Sequence, residues 1–258
     1  MPELIDTHVH LDDARLIKDL DLILARAREK GVTKMINIGH DMESSRSSVH
    51  LARTYGNIWA AVGIHPHSAR DAREADFHLL EELAREDKVV AIGEIGLDYH
   101  YDFSPRPVQR EVFQRQLEMS IRLGLPVVIH QREAVRDTLD ILQEYAPLPY
   151  GGVMHCFSGT VDIMEQCLEL GLVIGLGGTV TFKNARETKA VAAAVPLDKL
   201  VLETDCPYLA PHPFRGKVNQ PGYLPLVAAE IARLKGVPLD RLIAACAATA
   251  RNLFQLPA

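Results

Sequence analysis

The sequence has little cysteine and no excess of basic residues. Only four of its 258 residues are cysteine, and none of them forms a Cys-x-x-Cys pair. This usage indicates reduced, mostly buried thiols in a cytoplasmic protein. The formal net charge is -6. A protein that coats long stretches of DNA normally has a basic surface, so that role is disfavoured, although a small phosphate-binding patch stays open.

Long apolar runs and low-complexity tracts are also absent. No apolar segment is long enough to span a bilayer, so we expect no membrane association. The first residues, MPELIDTHVH, show no basic segment leading into an apolar one, and we therefore expect no secretory signal. The length fits one domain over residues 1–258, and a hydrophobic fraction of 47% is enough for a sizeable core.

Short aliphatic runs alternate with amphipathic stretches along the chain. Runs of Val, Ile and Ala are typical of strands buried on both faces. Left-handed glycine caps are expected before four of the runs, at Gly31, Gly56, Gly124 and Gly171. The alternation predicts an α/β fold, a single (β/α)8 TIM-type barrel, with a doubly wound open sheet as the alternative. The predicted strands are residues 4–10, 35–39, 58–64, 89–95, 126–131, 151–155, 172–177 and 200–205.

Metal-capable or charged side chains stand at the ends of most predicted strands. In a (β/α)8 barrel the carboxyl ends of the strands meet at one face, where the active site lies. Residues that are far apart in sequence would therefore gather in one pocket. Strand by strand, they are His8 and His10, His65 and His67, Glu94 and Asp98, His130 and Arg132, His155, and Glu203 and Asp205.

The first strand carries a pair of histidines. His8 and His10 are two residues apart, so both side chains point to the same side of a strand, with Asp6 one step deeper. Two neutral imidazoles at this spacing can bind one cation. Alternatively they bond only to the backbone, because short motifs occur by chance.

Three further candidate ligands follow buried strands. Glu94 follows an apolar run, where a carboxylate is costly to bury without a partner. Two metals could share its oxygens, and an ion pair with Arg132 is the alternative. His130 and His155 follow strands in equivalent places, which favours metal ligation over two hydrogen-bonded core histidines.

The eighth predicted strand ends in two carboxylates. Asp205 could bind metal and also accept a proton from the attacking water. Glu203 lies two residues before Asp205, so both side chains point to the same side of the predicted strand. Glu203 either orients a ligand or is a buried structural carboxylate. The next loop holds Arg215 and Lys217, which suit a phosphate or carboxylate at the mouth of a metal site. A solvated surface loop is the plainer interpretation.

Seven ordered segments carry a resemblance to a known family. They are DTHVHLD, GIHPH, EIGLDYHY, IHQR, MHCFSG, ETDCPYLAP and RGKVNQP, and they resemble the motifs of the TatD family of metal-dependent deoxyribonucleases, in the amidohydrolase superfamily. Val9 departs from the pattern, since many members have cysteine there. The resemblance implies a site for two divalent metals. It implies that the first is held by His8, His10, Glu94 and Asp205, and that Glu94 bridges to the second, which His130 and His155 complete.

The resulting hypothesis is an exonuclease-like deoxyribonuclease that cleaves phosphodiester bonds with a water activated by two metals. Asp205 would take the proton and His65 would stabilise charge on the phosphate. Further phosphate contacts are expected from Arg132, Arg215 and Lys217. The expected partner is DNA with single-stranded or frayed ends, and no obligate protein partner is expected. Mixed imidazole and carboxylate ligands suit Zn, Mn, Co or Fe, and Mg is a further option because it prefers oxygen.

Two other functions stay open at this point. The same site could cut an ester or amide, as in a deacylase acting on D-aminoacyl-tRNA. The protein could also hold metal only structurally and act as a binding partner. A structural zinc site is usually closed by four protein ligands, whereas six ligands beside a basic loop indicate an open site.

Overall fold

The architecture was established from a computed structural model, which describes residues 3–257. Residues 1, 2 and 258 of the predicted domain, and the first two positions of MPELIDTHVH, lie outside the described residues. Eight strands form one sheet in which neighbouring strands are also neighbours in the chain. A doubly wound sheet has a different order, with a switch point in its middle. The predicted (β/α)8 fold class is therefore confirmed.

The strands agree with the predicted ones within three residues at every boundary. Their pairing is parallel wherever neighbouring registers are defined. The largest differences in the site region, of three residues each, are at β4, which continues to Asp98, and at β8, which ends at Leu202. The strands are β1 Leu4–Val9, β2 Val32–Ile38, β3 Ile58–Val62, β4 Val89–Asp98, β5 Val127–Arg132, β6 Gly152–Met154, β7 Leu172–Leu176 and β8 Leu200–Leu202.

Helices follow the strands in regular alternation. The α-helices are α1 Leu20–Glu29, α2 Met42–Thr54, α3 Glu74–Leu83, α4 Arg106–Leu123, α5 Val135–Glu144, α6 Val161–Glu169, α7 Arg186–Ala194, α8 Leu224–Lys235 and α9 Leu239–Phe254. Short 3-10 helices span Ile17–Asp19, Pro66–Asp71, Gly178–Thr181, Leu197–Lys199 and Pro221–Tyr223. None of the helices within residues 3–257 is both long and apolar enough to cross a membrane.

Contacts within the described chain define two compact units. The first unit comprises residues 3–36, 156–165 and 174–257, and the second comprises residues 37–155 and 166–173. The expectation that residues 1–258 form a single domain stays a prediction. Three of the four cysteines are buried and all four are free thiols, as predicted.

The first unit is built around β1 and β8. Helix α9 packs against both strands, and its buried face includes Leu242, Cys246 and Phe254. β1 is buried along its whole length although it carries polar side chains. Burying a polar side chain without a partner is unfavourable, and the Thr7 hydroxyl avoids this by donating to the carbonyl of Leu202 at 3.1 Å.

The second unit is built around β3 and β4. Helix α2 packs against β3, and α4 packs against β4, whose ten residues are all buried. The side-chain amide of Gln116, from α4, accepts from the N–H of Ile64 at 2.7 Å and donates to its carbonyl at 3.0 Å. The Gln116 side chain thus makes the backbone hydrogen bonds that a neighbouring strand would otherwise make to the segment leading to His65.

Glycine conformation agrees with the sequence at three positions and differs at one. Gly31, Gly124 and Gly171 have φ of 83°, 73° and 90°, as expected of left-handed caps. The expectation for Gly56 is wrong, because α2 ends in the extended residue Tyr55 and the turn at Gly56 needs no positive φ.

Gly96 is a sharper test of the fold, since it stands in β4 with φ of 140°. A Cβ added there would lie 2.0 Å from the carbonyl oxygen of His130, a backbone atom that cannot easily yield. We expect Gly96→Ala to lower the free energy of unfolding by about 1–3 kcal/mol, measured by urea denaturation. Gly56→Ala is the matched control, because nothing lies within 4 Å of its added Cβ. Equal stability of the two variants would contradict the close packing of β4 on β5.

Candidate metal centre

Four predicted site residues of the second unit lie within strands or in the segments that follow them. Glu94 lies within β4 and His130 within β5, whose parallel register pairs Gly96 with His130. His155 follows β6 and donates its N–H to the carbonyl of Ile129 at 3.0 Å. His65 follows β3, and its backbone N–H bonds to His40 at 2.9 Å.

Three imidazoles of this unit converge on one carboxylate oxygen. Oε1 of Glu94 is 2.8 Å from Nδ1 of His130, 3.7 Å from Nε2 of His65 and 3.8 Å from Nε2 of His155. Ligand atoms of His65, Glu94 and His130 all lie within 4.8 Å of one another. Arg132, the alternative partner of Glu94, forms no ion pair with it among the described residues. The donor set is the mixture of imidazole and carboxylate that divalent metals accept.

The protonation of His65 also fits a metal-binding or hydrogen-bonding role. Burial lowers the pKa of His65 well below 6.5, and the nearby His130 adds to the effect. The ring is therefore neutral near pH 7. Its Nδ1 accepts the backbone N–H of His67 at 3.2 Å, so the ring proton resides on Nε2.

The structure adds Asp98 to the site, to which the sequence assigned no role. Its Oδ2 is 2.9 Å from Nε2 of His67 and 3.1 Å from Nε2 of His130, so His130 lies between two carboxylates. Burial would raise the pKa of Asp98, but hydrogen bonds from His130, the backbone of Tyr101 and His67 hold it well below its usual value. Burial would lower the pKa of His130, but its hydrogen bonds with Asp98 and Glu94 outweigh burial and raise this pKa.

The sequence did contain a signal for Asp98. Glu94, Gly96 and Asp98 alternate along one strand, so the two carboxylates share a side of β4. The predicted strand ended at residue 95, and this parity was therefore not visible. The extended ladder, in which Asp98 pairs with Arg132, places the second carboxylate beside the histidines.

The first unit holds a second cluster of candidate ligands. Nε2 of His8 is 3.2 Å from Nε2 of His10, and the two atoms are 3.8 Å and 3.5 Å from Oδ1 of Asp205. Asp205 lies three residues beyond β8, has a φ of 57° and donates its N–H to the carbonyl of His8 at 2.9 Å. A bridge between Val9 and Cys206 continues this pairing. The tertiary structure thus places Asp205 beside the end of β1.

Asp6 lies one step deeper than His8, as predicted. It is fully buried and accepts hydrogen bonds from the N–H of Thr204 at 2.9 Å and from its hydroxyl at 2.7 Å. Burial raises the pKa of Asp6 to about 8, against the opposing effect of these hydrogen bonds. Asp6 therefore ties β1 to the segment that carries Asp205.

Glu203 is also buried, and it bonds to backbone. Its Oε1 accepts the N–H of Cys156 at 2.7 Å. Cys156 has a φ of 45° and directly follows His155 in the chain. Whether Glu203 orients a metal ligand stays a prediction.

The predicted phosphate-binding residues are exposed cations. The guanidinium of Arg132 lies 4.8 Å from the ring centre of Tyr101, in the second unit. In the first unit Arg215 lies 4.4 Å from the ring centre of Phe182, and Lys217 is exposed in the same loop. Asn219 anchors this loop by donating to the carbonyls of Thr204 and Tyr208 at 2.7 Å and 2.6 Å. The loop is thus pinned to the segment around Asp205 and is not a freely solvated connection.

The (β/α)8 fold and the histidine–carboxylate clusters define the class of protein, a metal-dependent hydrolase. The chain belongs to the TatD related DNase family, whose sequence model matches residues 5–255. The predicted family and class are therefore confirmed. The groups positioned to bind metal agree with a metal-dependent family.

Relatives agree over nearly the whole chain. The chain is 40% identical to the uncharacterized metal-dependent hydrolase YabD of Bacillus subtilis, covering 98% of this chain and 99% of the relative. It is 37% identical to the 3'-5' ssDNA/RNA exonuclease TatD of Erwinia amylovora, covering 97% and 99%. The crystal structure of YJJV, a TatD homolog from Escherichia coli, superposes with a TM-score of 0.94 at 34% identity and 98% coverage of both chains.

Asp98 yields the test of this centre. Asp98→Asn keeps the shape of the side chain but removes the charge that orients His67 and His130. We expect metal affinity to fall about 10–100-fold, as for other residues that orient ligands, measured by calorimetric titration with Zn²⁺ or Mn²⁺. Asp102→Asn is the matched control, because Asp102 lies four residues further and pairs with the exposed Arg106 at 2.8 Å. Unchanged affinity in Asp98→Asn would remove Asp98 from the site.

Proposed function

We propose that the protein is a metal-dependent deoxyribonuclease that removes nucleotides from single-stranded or frayed DNA ends. The observation that carries the proposal is the convergence of His65, His130 and His155 on one oxygen of Glu94. Such a set of imidazole and carboxylate groups suits a site that binds a cation and acts on a phosphodiester. The relative from Erwinia amylovora, named as a 3'-5' ssDNA/RNA exonuclease, supports this class of substrate.

We propose two divalent cations, whose identity is among Zn, Mn, Co, Fe and Mg. His8, His10 and Asp205 would hold one, and Glu94, His130 and His155 the other, with Glu94 shared as the family resemblance implies. When bound, such cations lower the pKa of a water and neutralise charge on phosphate oxygens. The donor chemistry supports this assignment, since the ligand carboxylates Asp205 and Glu94 are each accompanied by imidazoles.

Asp205 and His65 are the proposed catalytic residues. The side chain of Asp205 is 13% exposed, so a water can reach its oxygens, and we assign it the role of proton acceptor. His65 has its proton on Nε2 and its side chain is 10% exposed. It would donate this N–H to a phosphate oxygen without bringing a second charge into a buried site.

The surrounding residues would bind and orient the nucleic acid. We assign phosphate contacts to Arg132, Arg215 and Lys217, and a positioning role to Glu203, which holds the backbone of Cys156 beside His155. The guanidinium groups are planar and always charged, which suits phosphate oxygens.

Two further assignments complete the proposal. We propose a single domain over residues 1–258, which the family match over residues 5–255 supports. We also propose a cytoplasmic location, since four free thiols suit a reducing compartment.

Asp205→Asn tests the proposed chemistry. The amide cannot accept the proton, so we expect kcat on a single-stranded oligodeoxynucleotide to fall about 10²–10⁴-fold even at metal concentrations that restore full occupancy. Hydrolysis would be followed by gel electrophoresis, and metal content by elemental analysis. Asp140→Asn, an exposed carboxylate on α5, is the matched control. Near-normal turnover in fully loaded Asp205→Asn would refute the role of Asp205. Hydrolysis of charged D-aminoacyl-tRNA without cleavage of DNA would assign the site to a deacylase instead.

Removal of metal distinguishes a catalytic from a structural centre. Because the strands are held by the cores of the two units, we expect a chelator to abolish hydrolysis and leave the far-ultraviolet circular dichroism unchanged. Activity should return when about two equivalents of Mn²⁺ or Zn²⁺ per chain are restored. If the chelator unfolded the protein, the metal would be structural and the protein a binding module.

A further inference from the structure

Two aromatic side chains stand exposed beside the histidine cluster of the second unit. Tyr101 is 48% exposed and Phe103 is 53% exposed, in the segment that joins β4 to α4. Their ring centres are 5.2 Å apart and their planes differ by 22°, so the rings stack on each other. Folding does not require such exposure, and clustered exposed aromatics are characteristic of binding surfaces.

The segment that carries these rings is held rigidly. Oδ1 of Asp98 accepts the N–H groups of His100 and Tyr101 at 3.0 Å and 2.9 Å. The hydroxyl of Ser104 donates to the carbonyl of His67 at 3.1 Å, and the carbonyl of Ser104 accepts from Gln109 at 2.8 Å. The rings are therefore presented in a fixed place, which lowers the entropy cost of binding.

His67 connects the rings to the histidine cluster. Its ring is edge-on to Phe103 at 4.9 Å and to Tyr101 at 5.4 Å. The same ring is 4.3 Å from that of His65, and its Nε2 bonds to Asp98 at 2.9 Å. A group stacked on the aromatic pair would thus be separated from the proposed phosphate-binding His65 by one side chain, that of His67.

The charge around the rings favours an anionic ligand with an aromatic part. Arg132 lies over Tyr101 and forms no ion pair within the described residues. A pocket of about 500 Å³ lies beside Phe103 and is lined also by Arg70 and Arg106. Arg106 pairs with Asp102 and Arg70 pairs with Asp71 at 3.7 Å, so Arg132 is the one of these three arginines that forms no ion pair with a described residue. A nucleotide offers both the phosphate and the ring that these groups would contact.

We propose that Tyr101 and Phe103 form a stacking platform for an unpaired base next to the cleaved phosphodiester. The platform rests on the proposed deoxyribonuclease function and supplies a structural reason for its preference for single strands. A base within a duplex is already stacked and paired, so only an unpaired or frayed base can lie on these rings. Stacking is tolerant of sequence, because every base has a π-face, and the platform therefore selects strandedness and not sequence.

The test compares the double variant Tyr101→Ala/Phe103→Ala with wild type on two substrates. One is a short oligothymidylate, and the other is the same oligonucleotide with abasic residues at its ends. We expect KM of the double variant on the normal substrate to rise about tenfold or more, with most of the effect in KM and little in kcat. On the abasic substrate the variant and wild type should be alike, because the base that the rings contact is missing.

Two controls separate stacking from structural damage. Tyr150→Ala removes a tyrosine of similar exposure, 49%, that precedes β6 and so lies at the amino end of that strand; its KM should match wild type. Tyr101→Phe/Phe103→Tyr keeps both rings and should retain the wild-type KM. Melting temperatures of all variants would be measured, and the exposed positions predict little change.

The outcomes distinguish failure of the stacking platform from failure of the proposed deoxyribonuclease function. An unchanged KM in the double variant, or an equal loss on normal and abasic substrates, would overturn the platform while leaving the nuclease intact. If metal-loaded wild type cleaved neither substrate, the proposed function would fail. Fluorescence anisotropy of labelled oligothymidylate would then decide the platform by itself: weaker binding by the double variant than by Tyr150→Ala would support it, and equal binding would refute it.

Discussion

Burial of the Glu94 carboxylate is the constraint on which the site in the second unit depends. Glu94 is 4% exposed within a strand that is buried along its whole length. An unpartnered carboxylate there would cost several kcal/mol, so groups that favour its charge must reach it. Those groups are histidines from the ends of three other strands. The ends of β3, β5 and β6 must therefore be held in place, which Gln116, the close contact at Gly96 and the hydrogen bond from the N–H of His155 to the carbonyl of Ile129 accomplish.

The first unit meets a similar constraint with a different construction. Asp205 follows a short strand and adopts a left-handed conformation, while Asp6 and Thr204 bond beneath it. The carboxylate is thereby set against His8 and His10. In both units a carboxylate is accompanied by imidazoles, and this recurring pair is the chemical basis of a metal-dependent hydrolase. Two exposed arginines lie over aromatic rings, Arg132 over the exposed Tyr101 and Arg215 over the partly buried Phe182.

Local sequence was sufficient for the strands and for the choice of the principal candidate ligands. Aliphatic runs such as the one before Glu94 identified all eight strands, because burial on both faces leaves no other pattern. His8, His10, His65, His130 and His155 could be chosen from their positions at strand ends. Asp98 also stood among these side chains, but its contacts with His67 and His130 could not be predicted, since they depend on β4 extending further than its apolar run. The aromatic pair in the following segment had no signal either, as an exposed tyrosine or phenylalanine looks the same in sequence wherever it lies.

The sequence by itself determined the fold class, the family and the chemical kind of site, because these follow from hydrophobic period and from the order of short motifs. Only the tertiary structure decided which atoms meet. That His130 lies between Glu94 and Asp98, that Asp6 bonds to Thr204, and that Arg132 lies over Tyr101 and not against Glu94 are consequences of strand register and loop path. Register and loop path arise from packing between segments distant in the chain, and no local pattern encodes them.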